Sequence, residues 1–407
     1  MAKPTGFDFL AESHKEYDIG ATFPPQSKEL YVIPSKLEAN IMTELPEEIC
    51  MEILERLPVK SLIRFKTVCK PWKYLINSPD FMERHADRSA TNHSKLGIVL
   101  EKYSEATHEC SLFFHELNFN PISLGETTMI EQPITRCKEV KPLSWCRGLL
   151  LLGVKCHHTF LLWNPSTRKC KEVRDPTYHC YFNHEAISAS ALGYDFTFKS
   201  HKIVLISKID RNPNDISVYN LKTNSWTSVE VDKDHEYASF DSSTTVVNGI
   251  PHWLVCYSRF QVRKADEIYY EIEYFNYDMN KFVVVPQPCG YDYDSPELFD
   301  MEGRLCIGYH TCGKVEIWVM MKYGVKESWS RQMIFGDIII PWYPICFAKD
   351  IGVSLVAEGK YGVRCYVIYN GKERGTELKF LAADSKIRSK NAFAFVESLI
   401  SLEPERY

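Results

Sequence analysis

Three stretches of the chain repeat one pattern at a fixed interval. TFLLWNPSTRKCKEV begins at Thr159, DISVYNLKTNSWTSVEV at Asp215 and YEIEYFNYDMNKFVVVPQP at Tyr270. Each is an apolar run, a short polar turn and a second strand-like run with Cys170, Trp226 or Phe282 near its start. Asn164, Asn220 and Asn276 hold the same turn position and lie 56 residues apart. In Asn164-Pro165 the turn has a mechanism: the amide caps the backbone and the ring presets φ. A period of this length marks a supersecondary unit that stacks on copies of itself to bury a continuous core.

Weaker copies flank the three, with His115, a place near Val319 and Asn370 at the matching positions. Six units at a spacing of about 50 residues predict a mainly β chain folded as a kelch-like β-propeller of about six blades. KIVLIS, TFLLW and FVVVP are continuous apolar runs, which a strand shows when both its faces are covered. A solenoid would place helices between the strands, and the sequence lacks them there. The first unit lacks a strand before KLGIVLE, and NAFAFVESLISL lies near the end of the chain. Phe393–Leu399 is therefore predicted to complete the first blade and remove an open sheet edge.

A different pattern precedes the repeats. LPEEICMEILERLPVKSLIRFKTVCKPW occupies Leu45 to Trp72. Pro46 suits a first helical turn, and Glu47 and Glu48 sit where the helix dipole favours acids. Ile49, Ile53 and Leu57 share one helical face. Pro58 ends this helix and opens the next, where Leu62, Phe65 and Cys69 recur. Pro71 breaks again, Trp72, Leu75 and Ile76 form a third face, and Asn77-Ser78-Pro79 is read as the stop. Three short helices of this size are marginal alone. They carry more apolar positions than they can hide among themselves, so either the rest of the chain or another protein covers the surplus.

Residues 1–40 read as a flexible polar leader, 42–85 as the helical unit and 95–400 as the propeller, with a polar connector at Ser89 to Ser94. The 407 residues carry a net charge of −5, which leaves no footprint of nucleic-acid binding. No secretory signal and no membrane span are read, and MIFGDIIIPWYPICF is broken by Asp337, Pro341 and Pro344. The 14 cysteines are expected to be reduced thiols. Cys156, His157, His158, Cys170, Cys180 and His184 lie near one another in sequence without zinc-ligand spacing, so no metal and no cofactor is expected. Gly148, Gly193, Gly249 and Gly303 read as turn or packing glycines, not a phosphate loop. Trp163, Trp226, Trp253, Trp318 and Trp329 read as core. His252 reads as a hydrogen-bonded structural residue, and Asp195 and Asp278 as turn residues.

The segment from Leu45 to Phe81 resembles an F-box in its Leu-Pro start, its ILERLPVKSL centre and its VCKPW end. "WCRGLLLL", "LLWNPSTRK", "ALGYDFTFKSHKIVLI", "VVNGIPHWL", "FNYDMNKF", "MEGRLCIGY" and "IWVMMKYGVKESW" are similar, in family order, to the F-box-associated domain of plant F-box proteins. The resemblance covers about 360 of the 407 residues. It includes pollen S-locus F-box proteins of self-incompatibility and receptors that act on immune proteins. Arg147 departs from the family, which often has Asn before Gly148. The resemblance implies a non-catalytic substrate receptor of an SCF-type ubiquitin ligase, in the cytoplasm and also open to the nucleus. It would dock on an SKP-type adaptor and, through it, on cullin and a RING subunit. Leu45, Pro46, Ile49, Ile53, Leu57, Pro58, Val59, Leu62 and Trp72 would supply that contact or its support.

Candidate target contacts come from exposed aromatic segments, because Tyr, His and Phe anchor interfaces well. The aromatic connection DPTYHCYFNHEA offers Tyr178, His179, Tyr181, Phe182 and His184. Tyr257 and Arg259, Tyr291, and Trp342 and Tyr343 belong to similar stretches. A scaffold that sequesters a partner without degrading it is the alternative. A propeller enzyme would need a polar cluster in the central channel, and the sequence shows no such constellation.

Overall fold

The computed structural model describes residues 46–402, apart from 92–96, 105–108, 120–121, 131–139, 155–158, 175–186, 209–213, 234, 237, 242–243, 259–267, 289–295, 312–313, 336–341, 349–352, 359–361, 368–377 and 381–386. In the strands between 97 and 130 and between 333 and 394 the backbone alone is described. The chain divides into residues 1–47 and a compact unit of residues 48–407, and the expected leader at 1–40 lies outside the described residues.

Among the described residues the helices α1 Glu47–Glu55, α2 Val59–Phe65, α3 Lys70–Asn77 and α4 Pro79–Thr91 precede the strands. Pro58 and Cys69 cap α2 and α3 with extended backbone, and Pro71 lies in the first turn of α3. The fourth helix corrects the reading of Asn77-Ser78-Pro79 as a stop. Ser78 ends α3 and starts α4 at once, its Oγ donating to the Leu75 carbonyl (2.8 Å) and accepting from the Phe81 amide (3.3 Å). Pro79 as the first helical residue and Asp80 in the first turn complete an ordinary helix start. The connector read at Ser89 to Ser94 is accordingly helical as far as Thr91.

Six antiparallel sheets follow. The first holds β1 Gly97–Ser104, β2 Glu109–Phe119 and β3 Ile122–Ile130. The second holds β4 Val140–Cys146, β5 Leu149–Val154, β6 Thr159–Asn164 and β7 Lys169–Arg174. The third holds β8 Ile187–Asp195, β9 Ser200–Ser207, β10 Asp215–Asn220 and β11 Ser225–Val229. In the fourth, β12 Ser239–Phe240 and β13 Thr245–Val247 share β14 Ile250–Ser258 as partner, followed by β15 Ile268–Asn276 and β16 Lys281–Val285. The fifth holds β17 Glu297–Met301, β18 Arg304–Thr311, β19 Lys314–Met320 and β20 Trp329–Phe335. The sixth holds β21 Trp342–Ala348, β22 Val353–Glu358, β23 Gly362–Val367 and β24 Leu378–Phe380. The last strand, β25 Ile387–Phe395, returns to the first sheet and pairs with β1, Gly97 opposite Phe395 and Val99 opposite Phe393. The inner strands β25, β4, β8, β13, β17 and β21 neighbour one another in turn, so the sheets close into a propeller.

The closing strand corrects the prediction for Phe393–Leu399. Pairing begins earlier, at Ile387, and ends at Phe395. Residues 396–400 form no strand.

The repeated asparagines do what their chemistry suggests. Asn164 Oδ1 accepts from the amides of Ser166 and Thr167, Asn220 Oδ1 from Lys222 and Thr223, and Asn276 Oδ1 from Asp278 and Met279, all between 2.9 and 3.5 Å. Asp195 does the same for Thr197 and Phe198. The weaker copies were misaligned. His115 lies inside β2 opposite Ile98 and Thr127, and Val319 lies one residue before the end of β19. Asn370 is outside the described residues. Burial explains two of the three continuous apolar runs, since β6 is buried throughout and β9 nearly so. FVVVP belongs instead to the outermost strand β16, where Phe282 and Val285 are buried, Val283 is half-buried and Val284 is exposed, so this run is not covered throughout.

One half-buried acid gives a pH test of the propeller. Burial pushes the Asp300 carboxyl from 3.8 to about 7. The folded state thus holds a proton that the unfolded state releases, so this side chain favours folding below about pH 4 and loses that contribution as pH rises through 7. Asp300→Asn mimics the protonated form. Its unfolding temperature is expected to exceed that of the parent at pH 8, by the equivalent of roughly 1–3 kcal/mol, and to match it near pH 4. Parallel thermal melts at the two pH values check this.

Candidate functional surfaces

The helices bury Leu54, Val59, Leu62, Leu75, Ile76 and Phe81 around one another, with Met51, Leu57, Phe65, Trp72 and Met82 half-buried around them. This leaves Ile49 at 42% exposure, Ile53 at 50%, Val68 at 54% and Tyr74 at 76%, with Ile63 also exposed. Ile49 and Ile53 are one turn apart on α1. Ile49 and Ile53 thus form an uncovered apolar strip on α1, and Ile63, Val68 and Tyr74 add exposed apolar surface elsewhere on the same unit.

The residues expected to form the adaptor contact therefore separate into two kinds. Pro46, Ile49 and Ile53 are exposed, while Leu57, Pro58 and Trp72 are half-buried. Val59 and Leu62 are fully buried and support the face from beneath. Leu45 lies outside the described residues. Ile63, Val68 and Tyr74, which the sequence reading did not single out, are exposed on the same unit, Val68 in the turn between α2 and α3.

The same helices are fastened to the propeller. Arg147 and Gly148 form the two-residue turn between β4 and β5, both with positive φ (49° and 80°), and Asn248-Gly249 and Glu302-Gly303 repeat this geometry. Such turns favour Asn-Gly because a larger side chain is strained there. Asn248 bonds along the ring to the Gly303 carbonyl at 2.8 Å. Arg147 reaches the helices instead. Its guanidinium pairs with Asp87 and the Glu83 carbonyl of α4 and lies 4.4 Å over the Tyr194 ring. The Tyr194 hydroxyl donates to Glu83 (2.9 Å), which also meets Lys199 at 3.0 Å. Burial and this hydrogen bond to Glu83 raise the Tyr194 pKa. Arg147→Asn is expected to relieve the turn and release the helices. Amide exchange at α4 should rise about tenfold or more while the propeller amides keep their protection.

The opposite end of the propeller follows from strand direction. Turns 147–148, 196–199, 248–249 and 302–303 join inner strands to the next, and turns 165–168, 221–224 and 277–280 join third strands to fourth. In an up-and-down sheet these share one end, the end that carries the helices. Tyr257 lies at the far end of β14, and Trp342 and Tyr343 open β21 at that same far end. Tyr178, His179, Tyr181, Phe182, His184, Arg259 and Tyr291 lie outside the described residues, but the strand ends that flank them, β7 and β8, β14 and β15, β16 and β17, are all at that end.

Tyr257 is held from below. Its hydroxyl bonds to Glu273, which has 0% exposure and also takes a hydrogen bond from His235 Nε2 (2.6 Å). Asp232 Oδ1 holds His235 Nδ1 at 2.5 Å. Burial pulls the His235 pKa down, but Glu273 and Asp232 together outweigh it and set it at about 9. The Tyr257 ring stacks on Tyr269 at 5.2 Å, and Tyr269, Tyr270 and Ile187 are exposed beside this end of the strands. Sequence reading missed these three, which sit in strands rather than in the aromatic connections that drew attention.

The other candidate residues are structural. His252 is fully buried, with Nδ1 donating to the Ile250 carbonyl (2.9 Å) and Nε2 accepting from Tyr323 (2.6 Å), and burial lowers its pKa to about 4. Gly193 is a packing glycine, since a Cβ there would meet the Tyr277 hydroxyl at 2.1 Å. Among the described residues no group of three or more His, Cys, Asp or Glu could hold a metal, and no helix is long and apolar enough to cross a membrane.

Comparison with known proteins agrees with both parts of this architecture. The F-box domain family matches residues 42–84, and the F-box associated beta propeller domain family matches residues 107–402. The chain belongs to the F-box proteins with an F-box-associated β-propeller. An F-box/kelch-repeat protein of Arabidopsis thaliana is 24% identical over 81% of this chain and 89% of its own length. Another Arabidopsis thaliana F-box protein is 24% identical over 73% of this chain and 74% of its own. Among solved structures, the β-propeller domain of the Trilobed protease from Pyrococcus furiosus is similar with a TM-score of 0.37 at 9% identity, over 71% of this chain and 82% of that one. In this F-box protein the F-box helices and the propeller thus meet at the Arg147 turn.

Proposed function

We propose that this F-box protein is a non-catalytic substrate receptor of an SCF-type ubiquitin ligase. The exposed apolar face around Ile49 and Ile53 docks on an SKP-type adaptor, and the opposite end of the propeller holds a target protein. The observation that carries this reading is the uncovered face itself. The F-box helices are already packed on the propeller through α4, yet five large apolar side chains still face solvent. The propeller leaves them uncovered, which supports a partner protein at this face. The chemistry is indirect: the receptor raises the effective concentration of a target lysine near the transfer machinery and orients it.

Affinity purification under proteasome inhibition tests this with two baits, the full chain and its Ile49→Asp/Ile53→Asp variant. Adaptor and cullin are expected with the first bait only, and a common target with both. Equal recovery of the adaptor, or none with either bait, contradicts the proposal. The point variant is preferable to deleting residues 42–80, because deletion would uncover the packed surface around Leu399.

A further inference from the structure

The adaptor-binding helices are completed by a segment more than 300 residues away. Leu399, 3% exposed, packs into the helical core with Leu54, Val59, Leu62, Leu75, Ile76 and Phe81. Glu397 Oε2 accepts from the Val59 amide at 3.1 Å, at the start of α2, where Pro58 has no side-chain cap to offer. The segment itself is pinned to the propeller. Asn164 Nδ2 donates to the carbonyls of Ser398 and Ile400, both at 3.0 Å, and the Ser398 amide donates to Ser166 Oγ at 3.2 Å. Leu402 is buried in the core between the second and third blades.

This segment follows directly on β25, the strand that closes the ring. We propose that Glu397 and Leu399 are positioning residues for adaptor binding, and that ring closure and completion of the F-box are one event. Until β25 pairs with β1, Glu397 and Leu399 are less firmly placed against Val59 and Leu62. The helices that carry Ile49 and Ile53 are then fastened to the propeller through the Arg147, Tyr194 and Lys199 contacts to α4, without the support of this segment. A chain whose propeller is open therefore presents a defective adaptor face, and only a closed receptor recruits the ligase. The inference rests on the proposed adaptor contact.

Binding of a purified SKP-type adaptor to the full chain and to three variants tests it. Leu399→Asp puts a charge into the helical core and is expected to weaken adaptor binding about 30-fold or more. Leu399→Met keeps an apolar side chain of similar volume and is expected to stay within about threefold of the parent. Glu397→Gln removes the charge that faces the Val59 amide without disturbing the propeller, and is expected to weaken binding about threefold to tenfold. Tryptophan fluorescence melts report the propeller in each variant and should keep the parent transition in Glu397→Gln and Leu399→Met. Parent-like adaptor affinity in both Leu399→Asp and Glu397→Gln overturns the inference while leaving the adaptor contact intact. No adaptor binding by the parent chain overturns the proposed function instead.

Discussion

Ile49→Asp/Ile53→Asp is expected to reduce affinity for an SKP-type adaptor by at least about 100-fold without lowering the unfolding temperature. Burying one isoleucine side chain contributes about 1.5–3 kcal/mol, and each 1.4 kcal/mol is tenfold in affinity. Two half-exposed isoleucines on adjacent turns can together supply several kcal/mol to an interface, and two carboxylates in their place would be desolvated without partners. Stability is spared because both side chains already face solvent in the free chain. Leu57→Asp would be a poorer test. Leu57 is half-buried against the helical core, so a charge there would also loosen the helices. Titration calorimetry with purified adaptor, paired with thermal melts, separates the two effects.

Glu273→Ala is expected to destabilise the propeller by about 3–5 kcal/mol at pH 7, the usual cost of removing one partner of a buried ion pair. Glu273 is fully buried, and it is the carboxylate that offsets the burial of His235 and anchors Tyr257. The sign of the pH dependence follows from His235, whose folded pKa is raised to about 9. Its ion pair stabilises the fold fully below about pH 6.5 and is lost as pH rises through 9. The gap between parent and variant should therefore narrow between pH 7 and pH 10 in melts of the two proteins. Loss of Tyr257 positioning should also weaken target binding if the far end of the propeller is the target surface.

Much of this fold was legible from local chemistry. Asn164, Asn220 and Asn276 announce their turns because an Asn side chain bonds the backbone two and three residues on, whatever surrounds it. The helical unit was legible from its prolines and apolar spacing. Its fourth helix was missed because Ser78-Pro79 both ends one helix and starts another, and only the structure shows that the chain turns rather than stops. The exposed face was partly legible. Spacing groups Ile49 and Ile53 with Leu57 on one helical face, but it cannot tell Ile53, which faces solvent, from Leu62, which faces the core. The fastening of the helices was not legible at all. It depends on Arg147 meeting Asp87 and on Leu399 joining the buried cluster of the helices, contacts between distant parts of the chain that leave no periodic trace. The departure at Arg147 was visible as an oddity, and its meaning came only with its partners.

Hydrogen-exchange footprinting of the full chain with and without a purified SKP-type adaptor tests the central claim most directly. The account predicts new protection confined to the F-box helices, centred on α1, and unchanged exchange at the far end of β14 and the start of β15. Protection at the far end of the propeller, or none on α1, would contradict it.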